Sequence, residues 1–315
     1  MKPTVLVGVI VVVAVAIAIA LKLRRRDAES SPVDEAAAAL KLPISSTRVG
    51  DCTIHSLIST DPYASLYAAT AADGTAVTVK LPARASLQDA DELKRFEREA
   101  EMLESIGHPG IIRLVSRGRV DERASKVPYM ILERLEGLGF AAFLAERAPV
   151  EPAEAIEILR QIASALEVVH KQEIIHRNLG PEALQVLADG RVVLHSFGVA
   201  RAAAMQTITM QGQVVGSVEY MAPEQMAGKK IDGKVDLYAV GVLGYQLLSG
   251  KSPFAHAGIA ALMKQKSELE GPHVSKVNPA VPAALDRLLS QLMSSDPGRR
   301  PANATRVVSE LASLG

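Results

Sequence analysis

Residues 174–198 read Ile174-Ile175-His176-Arg177-Asn178-Leu179-Gly180-Pro181-Glu182-Ala183-Leu184-Gln185-Val186-Leu187-Ala188-Asp189-Gly190-Arg191-Val192-Val193-Leu194-His195-Ser196-Phe197-Gly198. Leu184 to Leu187 and Val192 to Leu194 are short apolar runs around Asp189-Gly190, a dipeptide that favours a tight hairpin turn. Upstream, Pro152 suits the first turn of a helix. Ile156, Leu159, Ala163, Leu166 and Val169 then follow helical spacing to about His170. Downstream, Leu237 to Leu248 carries no charge, which predicts a helix buried on most sides, with Asp236 placed to cap its start.

The region before this stretch is richer in strand signals. Val77 to Leu81 is a β-branched run after Asp73-Gly74, so two antiparallel strands are expected to meet there. A helix is expected from about Leu87 to Ile106, with Ser86 as N-cap and an apolar face of Leu93, Phe96, Ala100 and Leu103. Glu99 falls on that face, whereas Glu97 and Glu101 do not. A carboxylate there needs a cationic partner, and Lys80, at the end of an apolar strand, is the candidate.

Composition narrows the field. Apolar residues make up 48% and charged residues 22% of the 315, which excludes a disordered charged tail. Basic and acidic side chains balance at 35 each, so no global cationic field recruits nucleic acid. Five of the basic residues precede the first acid, Asp27, leaving a mildly acidic remainder. The single cysteine, Cys52, excludes internal disulfides and any Cys-rich zinc site.

The amino-terminal stretch 3–21 is uncharged. As a helix it would span roughly 28 Å, close to the hydrocarbon thickness of a bilayer. Ala18-Ile19-Ala20 mimics a signal-cleavage site, but the apolar run is long and the basic block Lys22 to Arg26 follows it as a stop-transfer flank. The expectation is a transmembrane anchor with its flank at 1–26. The positive-inside rule then puts the remainder in the cytoplasm, as a single-pass protein of the cell membrane. Residues 27–47 read as a polar linker.

Taken in order, His176-Arg177-Asn178-Leu179, Ser196-Phe197-Gly198, Tyr220-Met221-Ala222-Pro223-Glu224-Gln225 and Asp236-Leu237-Tyr238-Ala239-Val240-Gly241 resemble the marker motifs of eukaryotic-type Ser/Thr protein kinases in their bacterial version. The resemblance covers about residues 48–314. It implies an α+β, bilobal protein-kinase-like fold, with a small β-rich N-lobe over about 48–134 and a larger helical C-lobe over about 135–314, preceded by one transmembrane helix. It also assigns structural roles: Lys80 with Glu99 as the ion pair of an active helix position, and His176 and Phe197 in a packed column near Leu103. Gly198 closes the Ser196-Phe197-Gly198 motif as a structural residue, Asp236 holds the catalytic-loop backbone, and Glu224 with Arg300 forms a buried pair.

The chemical positions depart from that family. Kinases cover ATP phosphates with a glycine-rich loop; here Ser59, Asp61 and Ala64 replace the glycines, and Pro62 removes a donor. Asn178 stands where an aspartate accepts the substrate proton, and a neutral amide has no usable basicity. Gly180 replaces a phosphate-binding lysine. Ala183 replaces a metal-binding asparagine, and Ser196 the metal-binding aspartate. Magnesium prefers carboxylate oxygens, so no Mg²⁺ site is expected. ATP held by Lys80 (beside Glu99) without metal stays open, although Thr78 and Gln185 bring polar atoms to the adenine positions. Thr207 and Thr209 are candidate phosphosites, with Arg177 as the phosphate's partner.

Scaffold kept and chemistry removed is the pattern of a pseudokinase. The leading expectation is a membrane-anchored pseudokinase that binds or regulates a protein partner, either an active kinase or a membrane signalling protein. The alternative is a low-activity or unconventional Ser/Thr kinase using ATP. A third reading is a non-catalytic switch that responds to nucleotide.

Overall fold

A computed structural model of the chain describes residues 41–44, 46–122, 125–197, 216–254, 258–268 and 271–315. The segment 3–21, Gly198, Thr207 and Thr209 lie outside them. Among the described residues no helix is long and apolar enough to cross a membrane.

The described residues divide into two compact units, one holding those up to Leu93 with those of Arg117–Ile131, the other those of Lys94–Ser116 with Leu132–Gly315. The first is built on a six-stranded sheet. Its strands are β1 (Arg48–Val49), β2 (Cys52–Thr60), β3 (Ala64–Thr70), β4 (Ala76–Pro82), β5 (Leu114–Glu122) and β6 (Ser125–Glu133), in the order β1-β2-β3-β4-β6-β5. The β3–β4 hairpin turns at Gly74, whose φ of 87° is a left-handed conformation that glycine adopts without strain. The core of this unit is apolar, mostly aliphatic with one aromatic ring: Val49, Ile54, Tyr67, Val77, Val79, Leu81, Val127 and Ile131 are all buried.

Part of the stretch read as linker belongs to this core. Leu42 and Ile44 are buried in it, and Arg84 Nη2 donates to the Leu42 carbonyl at 2.7 Å. Polar neighbours in the sequence hid the two apolar side chains that anchor this segment.

The helix expected from Leu87 starts later. A 3-10 turn covers Ser86–Gln88, and the α-helix α1 runs over Ala90–Ser105. Its cap is Asp89, whose Oδ1 accepts from the Asp91 and Glu92 amides at 2.9 and 3.2 Å. Ser86 is buried and its hydroxyl donates to the Pro62 carbonyl, so it is not available to cap. Phe96, Glu99, Ala100 and Leu103 are the buried residues of α1.

The second unit is mainly helical: α2 (Phe140–Arg147), α3 (Pro152–Lys171), α4 (Pro223–Met226), α5 (Lys234–Ser249), α6 (Ile259–Glu268), α7 (Ala283–Leu292) and α8 (Ala304–Ala312). A small sheet β7-β8-β9 joins Gly137–Gly139, Leu184–Leu187 and Val192–Leu194. The Asp189-Gly190 turn closes the β8–β9 hairpin, with Gln185 opposite Val193. Helix α5 is buried along nearly its whole length, because the uncharged stretch Leu237 to Leu248 has no face to offer water. A Cβ at Gly241 would stand 2.8 Å from atoms of Leu292 and Met293, so glycine there lets α5 approach the end of α7.

Candidate functional site: a kinase-type catalytic loop and its frame

The loop between α3 and β8 is held from below by one carboxylate. Asp236, in the first turn of α5 and 1% exposed, accepts from the His176 amide (2.9 Å) and from the Arg177 amide (2.8 Å). His170 Nε2, at the end of α3, donates to it as well (2.8 Å). Asp236 therefore acts across the fold rather than as a helix cap. Arg177 sits at φ 65°, a left-handed conformation that costs a non-glycine residue about 1 kcal/mol. The Asp236 bond to its amide and the Gln225 Nε2 bond to its carbonyl (2.6 Å) hold it there.

His176 is buried, and burial is the main reason that its pKa lies below the ordinary histidine value. Its Nε2 donates to the His195 carbonyl at 3.0 Å. Its ring meets Phe197 edge-on, with centroids 4.8 Å apart. The two rings pack against each other within this unit.

Glu224 and Arg300 come together as a bidentate pair, Nη1 to Oε1 at 2.6 Å and Nη2 to Oε2 at 2.9 Å. Arg300 also donates to the carbonyls of Ser294 and Lys234 and lies over the Tyr238 ring, 4.9 Å from its centroid. Fully desolvated, the guanidinium has its fork filled by acceptors, the condition under which a buried pair is tolerated.

The chemical positions are arranged differently. Asn178 is half-buried and lines, with Arg177, Tyr220, Gln225 and Asp236, a cavity of about 10 Å³, room for a single water. Gly180 is extended, and a Cβ there would stand 3.1 Å from the Tyr220 ring. That ring is fixed, since Tyr220 Oη donates to Gln246 Oε1 at 2.8 Å and Gln246 Nε2 donates to Glu219 Oε1 at 2.9 Å. The place that the resemblance gives to a lysine is crowded by this aromatic ring. Ala183 is 1% exposed, and its carbonyl accepts from the His195 amide at 2.9 Å. Ser196 sits at φ 65°, its Oγ sharing a hydrogen bond with His195 Nδ1 at 2.7 Å. Gln185 Nε2 donates to the Leu135 and Gly137 carbonyls at 3.2 and 3.4 Å, which ties this side chain to β7.

One important side chain gave no sequence signal. Lys266 of α6 is buried, and its Nζ donates to the carbonyls of Val218, Glu219 and Met221. The Tyr238 and Phe254 rings lie 5.0 and 5.1 Å from it. Burial pushes its pKa down to about 7, against the opposing pull of Glu219. Lys266 thereby fastens the turn at 218–221 that leads into Ala222-Pro223-Glu224.

In the β-rich unit, Lys80 and Thr78 of β4 are both buried. Asp61, Pro62 and Tyr63 form the tip between β2 and β3. Among the described residues, no group of three or more His, Cys, Asp or Glu side chains is placed to hold a metal ion.

A strand-rich unit and a helical unit with an aspartate-clamped His-Arg loop define a protein-kinase-type domain. The protein kinase domain family matches residues 59–311, and the chain belongs to that family. Its relatives include the serine/threonine-protein kinase PrkC of Bacillus subtilis (strain 168), 31% identical over 212 residues, which cover 67% of this chain and 32% of that protein. Pkn1 of Myxococcus xanthus is 34% identical over 235 residues, 73% of this chain and 33% of Pkn1. PknL of Mycobacterium tuberculosis (strain ATCC 25618 / H37Rv) is 30% identical over 226 residues, 72% and 56% respectively. The chain thus aligns with about a third to just over half the length of these relatives, all bacterial Ser/Thr kinases by name.

Proposed function

We propose that this chain is a membrane-anchored pseudokinase, tethered through residues 3–21 with its kinase-like domain cytoplasmic, that binds and regulates a protein partner. An active kinase or a membrane signalling protein fits that role. The observation that carries the reading is the chemistry of positions 178, 183 and 196. Phosphoryl transfer needs a proton acceptor and oxygen ligands for metal. Asn178 offers a neutral amide. Ala183 offers a methyl group, with its carbonyl accepting the His195 amide. Ser196 offers a hydroxyl already bonded to His195. These residues do not fit Mg²⁺, a hard cation that prefers carboxylates. Loss of a general base alone removes about 10²–10⁴-fold. Loss of the metal's electrostatic stabilisation removes the larger contribution.

The second reading, a low-activity Ser/Thr kinase using ATP, is favoured by the relatives' names. The experiment that separates the two is phosphate transfer from radiolabelled ATP by the full-length chain, beside Lys80→Met. The pseudokinase reading expects no signal above that variant, at a sensitivity about 10³-fold below the kinase range of roughly 1–100 s⁻¹. Transfer abolished by Lys80→Met establishes the kinase reading instead. ATP that raises the unfolding midpoint without any transfer supports a nucleotide-responsive switch.

A further inference from the structure

The tip of the β2–β3 hairpin stands where the family covers phosphate with backbone amides, and its amides are already engaged. Asp61 Oδ1 accepts from the Tyr63 amide at 2.7 Å and from the Ala64 amide at 2.8 Å. Pro62, between Asp61 and Tyr63, has no amide proton. The Asp61 amide donates to the Ala64 carbonyl at 2.9 Å. The tip is fixed from outside as well: Ala83 donates its amide to the Tyr63 carbonyl at 2.7 Å, and Thr60 Oγ1 and Ser65 Oγ share a hydrogen bond at 2.8 Å across the last rung. From Asp61 to Ala64 every backbone donor is accounted for within the hairpin.

We propose that the Asp61 carboxylate is this loop's permanent anion: it takes the amides that a phosphate would take, so the loop is ordered without nucleotide and excludes it. Asp61 is in this sense a specificity-determining residue. Two amides converging on one carboxylate oxygen make the contact that a nest of amides makes with a phosphate oxygen. The carboxylate is covalently tethered and so needs no ligand concentration to hold its place. Any phosphate approaching the tip meets a fixed negative charge and no free donor. The inference deepens the pseudokinase reading and rests on it, since a scaffold that needs no ATP has a use for a loop that needs none.

The test reads the two amides themselves, by residue-specific hydrogen exchange on the full-length protein. In the wild type, Tyr63 and Ala64 are expected to exchange at least about tenfold more slowly than in Asp61→Ala, the scale of a charge-assisted hydrogen bond. Asp61→Asn, which keeps an acceptor oxygen, is expected to restore most of that protection. Saturating ATP and inorganic tripolyphosphate leave the wild-type rates unchanged, whereas tripolyphosphate slows the same amides in Asp61→Gly. Equal rates in wild type and Asp61→Ala overturn the proposal, as does slowing of the wild-type amides by ATP or tripolyphosphate. Phosphate transfer with these amides indifferent to ATP sinks the functional reading and leaves this inference standing. Absence of transfer with amides that respond to ATP does the reverse.

Discussion

The groups around Asp236 and Arg300 and the groups at positions 178, 183 and 196 lie in one helical unit, yet they are built in opposite ways. Around Asp236 and Arg300 the charges are buried and each is answered: three donors reach Asp236, and Glu224 and two carbonyls reach Arg300. At 178, 183 and 196 the side chains are neutral, and Ser196 is satisfied by its own neighbour. Buried charges cannot be lost singly without a large penalty, whereas neutral groups with local partners place no such demand on the fold. The contrast teaches that this domain keeps its shape through groups the family uses as framework, and that no framework bond depends on phosphoryl-transfer chemistry.

The sharpest way to break the comparison is to remove the cation of the Glu224–Arg300 pair. Arg300→Leu leaves the Glu224 carboxylate, 10% exposed, without its partner, and is expected to cost about 3–5 kcal/mol in urea unfolding. A cost below about 1 kcal/mol would place Arg300 with ordinary surface ion pairs and erase the distinction. Asp236→Asn comes next. It swaps one acceptor oxygen for a donor that faces the His176 or Arg177 amide, and is expected to cost about 2–3 kcal/mol. It should also speed hydrogen exchange at those two amides before the rest of the unit opens.

Much of this framework was legible in the sequence, and the reasons differ from residue to residue. Asp189-Gly190 gave the β8–β9 hairpin because a two-residue turn has a strong local preference. Pro152 gave the start of α3 because its ring favours the first helical turn. Glu99 could be placed on the buried face of α1 from spacing alone. Other features depend on contacts that no local pattern records. Ser86 looked like a cap but is spent on the Pro62 carbonyl, so Asp89 does the capping. Asp61 read as one of three replaced glycines, and only the geometry shows which amides it holds. Lys266 stands in an ordinary helical stretch, and its partners are backbone carbonyls nearly fifty residues away, which carry no residue-type signature.

Lys266 extends the comparison because it is a buried charge answered by carbonyl dipoles and ring faces, without a carboxylate hydrogen-bonded to it. Lys266→Met is expected to cost about 1–2 kcal/mol, since it leaves three carbonyls short of a donor while removing a desolvated cation. Its pH dependence is the clearer reading. The folded-state pKa of about 7 lies below the ordinary lysine value of 10.5. Below pH 7 the amine is charged in both states and the burial penalty is complete. Between pH 7 and 10.5 the folded protein has released a proton that the unfolded chain still holds, so stability rises with pH. The rise is bounded by about 1.4 kcal/mol per pH unit. Urea unfolding of wild type and Lys266→Met should lie closest at the acid end of that window and diverge toward the basic end, as the wild type gains stability that the variant does not. Parallel curves would mean that Lys266 stays charged and belongs with the answered charges.

The smallest expected effect belongs to the position with the largest chemical consequence. Asn178→Asp replaces a half-buried amide by a carboxylate beside a cavity with room for one water. No framework bond involves the Asn178 side chain among the described residues, so unfolding free energy is expected to change by less than about 0.5 kcal/mol. If Asn178→Asp costs more than about 1.5 kcal/mol, position 178 belongs to the framework and the division between frame and chemistry fails there. If stability is unchanged, the same variant becomes a clean probe of function. A base restored at 178, with Ala183 and Ser196 left as they are, should still give no phosphate transfer, because a proton acceptor without the metal's electrostatic stabilisation lacks the larger contribution.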